Sequence, residues 1–89
     1  MFEVFGFYKF KKLISLNKNK LFIQDFLIKK GIRGTIIIAK EGLNGTISGK
    51  TKDIRDVINK IKKIFSIKEF DNSNTSKSKF QPFHKPKVK

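Results

Sequence analysis

The sequence predicts a single α+β domain in which two helices cover one face of an antiparallel β-sheet. Three observations support this fold class: the elements read β-α-β-β-α-β along the chain, the length of 89 residues suits one domain, and the apolar residues are mainly phenylalanine and isoleucine. Because so short a chain leaves much of its surface in contact with water, its core is thin. A deep, enclosed active site is therefore not expected.

The first strand is predicted over Phe2–Phe10, an aromatic-rich stretch with a single glycine. Because side chains alternate along a strand, the apolar residues separate into two sets. The first set is Phe2, Val4, Tyr8 and Phe10, and the second is Phe5 and Phe7. We expect the phenylalanines of the first set to pack in the core or to dock on a neighbouring domain, whereas the second set could either pack in this way or face outwards.

The first helix is predicted over residues 21–30, after a polar stretch in which Asn17 or Asn19 would be the N-cap. Lysines in its last turn complement the helix dipole. Gly31 follows at the position of a left-handed C-cap. The apolar face of this helix, which we expect to pack in the core or on a neighbouring domain, includes Phe22, Ile23, Phe26 and Leu27.

A β-hairpin is predicted over residues 33–49. Its first strand, Arg33–Ala39, is rich in β-branched residues, and we expect it to be buried on both faces. Residues 41–45, EGLNG, supply turn chemistry through two glycines and through Asn44, which tolerates positive φ. Residues 46–49 then return as a short strand.

The second helix is predicted after Thr51, with acidic residues in its first turns and lysines toward its end. A last strand is predicted over residues 65–71. One apolar stripe with helical spacing defines the helix: Ile54, Val57, Ile58, Ile61 and Ile64.

This order of elements is that of the ferredoxin-like, or acylphosphatase-like, βαββαβ sandwich. Residues 1–72 are expected to form the folded core, and residues 73–79 a polar, mobile loop. Residues 80–89 are expected to form a basic extended segment that leads to a further domain. The sheet face without helices would be open to solvent, to RNA or to that domain.

The sequence offers no set of catalytic residues. Without cysteine and with one histidine, it lacks the means for thiolate chemistry, disulfides or a histidine- or cysteine-based metal site. Acylphosphatases share this element order but need a glycine-rich loop with an arginine after the first strand, where this chain has FYKFKKLISLNKNK. We therefore expect no acylphosphatase activity, no metal and no cofactor in this chain.

The chain is strongly basic, with a formal net charge of +14 from 21 Lys and Arg against 7 Asp and Glu. Such a field favours RNA, DNA or an acidic membrane surface, although an AT-rich genome would also enrich lysine. The lack of a signal peptide and of a membrane-length apolar run predicts a cytoplasmic protein. The cations that we expect to contact phosphates are Arg33, Lys60, Lys62, Lys63, Lys85 and Lys87.

RNA-recognition motifs share this element order and stack bases on aromatic residues of two central strands. Phe5 and Phe7 could supply one half of such a surface. The third strand, GTISG, has no aromatic residue, so a standard RNA-recognition motif is not expected.

The segment RGTIIIAKEGLNGTISG, residues 33–49, resembles the motif of the tRNA uridine-34 hydroxylase family, whose members carry a rhodanese-like domain. FYKF resembles the first strand of that family, and PFHKPKVK resembles its lysine-rich approach to the next domain, with Pro86 in place of the more usual leucine. The matching motif positions are Arg33, Gly34, Thr35, Ala39, Glu41, Gly42, Asn44 and Gly49.

The resemblance implies bacterial enzymes that use oxygen to convert the wobble uridine of certain tRNAs to 5-hydroxyuridine. It also implies that the essential cysteine lies in a rhodanese-like domain downstream, so this chain would be a non-catalytic, tRNA-binding N-terminal piece. The alternative is a structural adaptor that packs on the rhodanese-like domain without touching RNA and exposes Phe5 and Phe7. Arg33 could pair with Glu41 across the hairpin or hold a phosphate.

Overall fold

The computed structural model describes all 89 residues and places two helices on one face of a five-stranded sheet. The strand order is β4-β1-β3-β2-β5, and every neighbouring pair is antiparallel except β2 and β5, which run parallel. The predicted acylphosphatase-like sandwich is confirmed, although the sheet is mixed and has one strand more than expected. The elements are β1 (Phe2–Phe10), α1 (Leu16–Lys29), β2 (Arg33–Ala39), β3 (Gly42–Gly49), α2 (Thr51–Phe65), β4 (Asn72–Ser78) and β5 (Pro86–Val88).

The core lies between the helices and the side of β1 that carries Phe5 and Phe7. Phe7 is buried, and Phe5 packs against the buried cluster with its ring centroid 5.6 Å from that of Phe7. The expectation that these two residues could form an exposed patch is therefore wrong. Phe10 does not pack in the core, because strand alternation places it on the opposite side, where it is exposed, and Phe22 of α1 is also exposed.

Helix α1 begins at Leu16, five residues before the predicted start. Ser15 adopts a left-handed conformation, and its carbonyl accepts the Asn19 amide at 3.1 Å, so the polar stretch forms the first turns rather than a cap. The Lys and Asn residues of these turns face solvent, so the start of the helix shows no apolar periodicity in the sequence. At the other end, Gly31 takes the predicted left-handed conformation, and the Ile32 amide donates back to the Leu27 carbonyl at 3.0 Å.

The hairpin turn begins one residue earlier than the predicted EGLNG turn and ends four residues earlier. Ala39 pairs with Gly42, so residues 40–41 form the turn, and Asn44 lies inside β3. Gly42 is required there, because a side chain at its φ of 150° would overlap the Lys9 carbonyl oxygen of β1. The prediction that β2 is buried on both faces is wrong, since Ile36 and Ile38 are buried while Ile37 is exposed.

Helix α2 agrees with the predicted stripe, with Ile54, Val57 and Ile61 fully buried. The prediction of a strand over residues 65–71 is wrong, because Phe65 completes the buried stripe of the helix. The strand comes later, at Asn72–Ser78, where a mobile loop was expected.

Strand β4 pairs with β1 through seven consecutive residues, although its side chains are almost all exposed and polar. It is an edge strand that is held by backbone hydrogen bonds rather than by apolar contacts. Neither helix of the structure is long and apolar enough to cross a membrane.

Residues 79–85, the crossing segment, run from β4 to β5 over one end of the sheet. The buried Ser48 hydroxyl donates to the Pro82 carbonyl at 2.7 Å, and the Gln81 amide donates to the carbonyls of Gly31 and Ser48 at 2.9 and 3.0 Å. The predicted extended segment therefore belongs to the fold rather than standing apart from it.

Strand β5 closes the sheet against β2, and Pro86 is tolerated because edge strands do not need every amide. The Gln24 side chain of α1 donates to the Pro86 carbonyl at 2.7 Å and accepts the Val88 amide at 2.9 Å. The Gln24 side-chain amide thus makes the two backbone hydrogen bonds that a neighbouring strand would otherwise make at this edge.

Candidate functional site

The sheet face away from the helices, the open face, carries exposed aromatic residues at the hairpin end. The strand register aligns Tyr8, Asn44 and Ile37 in one row across β1, β3 and β2. Phe10 stands in the next row, opposite Gly42. Phe10 is 74% exposed, Ile37 43% and Tyr8 39%, which is unusual for large apolar side chains on central strands.

These side chains border a concave site, the open-face cleft, of about 550 Å³. The Tyr8 and Phe10 rings meet edge to face with centroids 5.6 Å apart. The volume falls within the range of about 300–1,000 Å³ typical of small-molecule sites. Besides the two rings, the cleft is bordered by Lys9, Ile37, Ala39, Glu41, Gly42, Leu43 and Asn44.

A polar row follows the cleft along the open face. Asn72 and Asn74 of β4 lie beside Gly6, and Asn44 and Thr46 of β3 lie on its other side. None of these three asparagine side chains makes a hydrogen bond within the chain, so their donors and acceptors are free. The row could therefore hold a polar, planar ligand beside the aromatic rings.

The six predicted phosphate-binding cations do not lie together. Arg33 begins β2, Lys85 directly precedes β5, and the register pairs Lys87 with Thr35, so these three sheet-side cations flank one end of the open face. The helix-side lysines, Lys60, Lys62 and Lys63, lie on α2 across the core.

Two of the three helix-side lysines contact aromatic rings. The Lys60 ammonium lies 5.4 Å from the centroid of Phe26, and the Lys62 ammonium lies 5.2 Å from that of Phe70. Such cation–π contacts favour a structural role for these two side chains. Lys63 borders a shallow depression next to Phe26.

Some motif residues of the hairpin are required by the backbone conformation, and others lie on the surface. Gly34 and Gly42 hold positive φ where neighbouring backbone leaves no room for a side chain, while Thr35 and Asn44 belong to the open face. The predicted pairing of Arg33 with Glu41 is wrong. They stand at opposite ends of β2, about 20 Å apart at strand spacing, and the Arg33 guanidinium instead donates to the Gln81 carbonyl at 3.4 Å.

The loop between β1 and α1 occupies the position at which an acylphosphatase would bind phosphate. The Lys11 amide donates to the Glu41 carbonyl at 3.0 Å and the Leu13 amide to the Lys40 carbonyl at 2.9 Å, so the hairpin turn occupies both donors. Leu13 itself is buried. With neither glycine nor arginine, this loop does not form an anion cradle. No three potential metal-ligating side chains cluster anywhere in the structure.

Asp71 fastens the strand that carries the aromatic pair. Its carboxylate accepts the Phe10 amide at 2.6 Å and the Lys9 ammonium at 3.1 Å. The hydrogen bond from the Phe10 amide, which has the larger effect, and that from the Lys9 ammonium hold the pKa of the Asp71 carboxyl below its ordinary value. Asp71 thus fixes the backbone of Phe10 at the border of the cleft.

Replacing Asp71 by asparagine is expected to destabilise the chain near neutral pH and to have less effect in acid. A depressed pKa in the folded state adds stability above the unfolded pKa of about 3.9, and this stability is lost as the pH falls through the folded pKa. Urea unfolding of both proteins from neutral pH to about pH 2 should therefore show curves that converge in acid. Asp25→Asn, on the exposed side of α1, is the control, and a difference that stays constant at every pH would contradict this role.

The sequence matches a protein-family model over residues 2–89, described as the UPF0176 acylphosphatase-like domain. A tRNA uridine(34) hydroxylase of Pelagibacter ubique is 72% identical over 89 residues, which cover 100% of this chain and 30% of that protein. A protein of the same name from Anaplasma phagocytophilum is 37% identical over 94 residues, covering 99% of this chain and 31% of the relative. The chain thus spans about a third of the length of the curated relatives it matches.

Among solved structures, acylphosphatase from Bacillus subtilis superposes with a TM-score of 0.66 at 10% identity, covering 99% of this chain and 98% of that one. An acylphosphatase from Coxiella burnetii superposes with a TM-score of 0.63 at 8% identity, covering 98% and 90%. These likenesses show the fold alone. The kinship predicted from the hairpin motif is confirmed by the family match: the chain belongs to the UPF0176 acylphosphatase-like domain family.

Proposed function

We propose that this chain is the N-terminal, tRNA-binding and substrate-positioning domain of an oxygen-dependent tRNA uridine-34 hydroxylase and is itself non-catalytic. The observation that carries the proposal is its 72% identity, along its whole length, to a tRNA uridine(34) hydroxylase of which it covers 30%. The chemistry, formation of 5-hydroxyuridine at the wobble position in the cytoplasm, would belong to a downstream rhodanese-like domain of the same chain. No cofactor is assigned to the 89 residues.

The charge of the chain supports contact with RNA. A net charge of +14 on 89 residues attracts a polyanion over long distances and raises the rate of encounter. The sheet-side cations are the phosphate ligands in this proposal, because they flank a face that has free polar groups. The Arg33 guanidinium makes only the 3.4 Å contact to Gln81, which leaves most of its donors available.

Titration of a tRNA that carries uridine 34 into the 89-residue chain tests the proposal. With three phosphate contacts, the logarithm of the association constant should fall with the logarithm of salt concentration with a slope of about −2 to −3. An RNA duplex of equal charge is the control for simple charge attraction and should bind more weakly than the tRNA. Failure to bind tRNA even at low salt would discard the RNA role of this chain.

A structural adaptor is the second candidate, and an apolar stripe on α1 favours it. Leu21 and Ile28, two helical turns apart, are 70% and 58% exposed on the helix side of the molecule. An adaptor would bury this stripe against a catalytic domain. If the chain is only an adaptor, reversing the charge of the sheet-side cations should leave tRNA hydroxylation by the full-length enzyme unchanged. If the chain binds tRNA, the same change should lower hydroxylation.

A further inference from the structure

The open-face cleft has the composition of a site for an uncharged aromatic ring. Its border contains one carboxylate, Glu41, and one lysine, Lys9, whose ammonium is paired with the Asp71 carboxylate at 3.1 Å, so the cleft offers a phosphate group no unpaired cation. The Tyr8 and Phe10 rings offer stacking surfaces on a central strand, on which RNA-binding sheets commonly stack bases. We propose that this cleft binds one unpaired RNA base, a role that rests on the proposed tRNA function and specifies the surface that performs it.

The neighbouring polar groups match the edge of a base. Asn44 stands in the same row as Tyr8, and its amide presents one acceptor and two donors that no group in the chain engages. A nucleobase presents donors and acceptors side by side along its edge, which a single amide can bond at two points. The Glu41 carboxylate adds an acceptor for a ring N–H or an exocyclic amine.

The phosphates of the same strand would lie outside the cleft. Lys40 is exposed in the hairpin turn, and the sheet-side cations lie at the far end of the open face. The crossing segment covers part of the face between the cleft and these cations, with Phe83 beside Thr35 and Thr46. A single strand would therefore meet the aromatic rings in the cleft and reach the cations on the far side of Phe83. This separation of base and phosphate contacts is what single-strand-binding surfaces use.

Tyr8 provides its own reporter, because the chain has one tyrosine and no tryptophan. Stacking of a base on Tyr8 should quench the intrinsic fluorescence of the 89-residue chain. Titration with a short single-stranded oligouridine is expected to quench it in a saturable manner. Inorganic polyphosphate, which offers charge without bases, should bind the chain without quenching.

The variant Phe10→Ala tests the second ring. One stacked base contributes about 1–3 kcal/mol, so affinity for oligouridine should fall between about 5-fold and 150-fold. Phe80→Ala is the matched control, because Phe80 is 72% exposed but does not border the cleft. Both variants change an exposed ring, and circular dichroism will check that each is folded.

The outcomes separate this site from the wider function. Binding of oligouridine and polyphosphate with equal affinity and without quenching would overturn the base site and leave the electrostatic RNA role standing. Equal loss of affinity in the Phe10 and Phe80 variants would also overturn it. If tRNA fails to bind at low salt, the proposed function itself falls, and the base site falls with it.

Discussion

Replacing Gly34 by alanine is expected to remove about 2–5 kcal/mol from the free energy of unfolding. Gly34 has a φ of +123°, and a Cβ built there would overlap the Thr46 carbonyl oxygen and lie 2.8 Å from the Ile47 Cα. Left-handed strain costs roughly 1–2 kcal/mol, and forced displacement in a packed interior adds about 1–3. All of the obstructing atoms belong to the backbone of β3, so no side-chain rotation relieves the overlap.

The loss would be large for this chain, because small domains are stable by only about 5–15 kcal/mol in total. Gly31→Ala is the matched control: Gly31 also has positive φ, at +67°, but nothing lies within 4 Å of its added Cβ. It should lose roughly 1–2 kcal/mol from conformation alone. Urea unfolding of the three proteins gives the comparison, and equal losses in the two variants would contradict the close approach of β2 and β3.

The elements that pack on the core could be predicted from the sequence. The stripe of Ile54, Val57 and Ile61 repeats with helical spacing because one side of α2 is buried along its length. The β-branched strand Arg33–Ala39 was recognisable for a similar reason, since its side chains pack on pleated neighbours. Local pattern and tertiary packing agree at these positions.

Strand β4 could not be predicted because its side chains show neither the alternation nor the apolar residues that indicate a strand. The sequence NSNTSKS has low strand propensity, and its order comes from backbone hydrogen bonds to β1. The same limit applies to the first turns of α1, where Lys and Asn face solvent. A pattern of apolar residues predicts an element only where that element is buried. An exposed edge strand or helix turn buries few side chains and so shows no such pattern.

The exposed aromatic pair was missed for a different reason. Alternation correctly separated Phe5 and Phe7 from Tyr8 and Phe10, but it did not say which set meets the helices. That choice depends on register: Phe5 pairs with Ile47, which is buried, so Phe5 faces the core. A register argument from the apolar residues of β3 would have placed Phe10 on the open face.

Removing the three sheet-side cations is expected to weaken tRNA binding on the order of 100-fold at low salt, because each lost phosphate contact lowers the salt slope by about one unit. The variant carries Arg33→Ala, Lys85→Ala and Lys87→Ala. The helix-side variant, with Lys60→Ala, Lys62→Ala and Lys63→Ala, loses the same three charges and is the matched control.

The helix-side variant separates the effect of direct contacts with tRNA phosphates from the effect of the overall positive charge. Both variants lower the net charge of +14 by three, so long-range attraction falls equally in each. The helix-side lysines lie across the core from the open face, and two of them contact the rings of Phe26 and Phe70. Their removal should therefore change tRNA affinity only through the shared loss of charge.

The salt dependence of tRNA affinity in these two variants and the unmodified chain tests most directly whether the open face contacts RNA. We expect the slope to fall by about 2–3 units in the sheet-side variant and to stay close to that of the unmodified chain in the helix-side variant. Equal slopes in the two variants, or a larger drop in the helix-side one, would show that RNA does not bind through the open face.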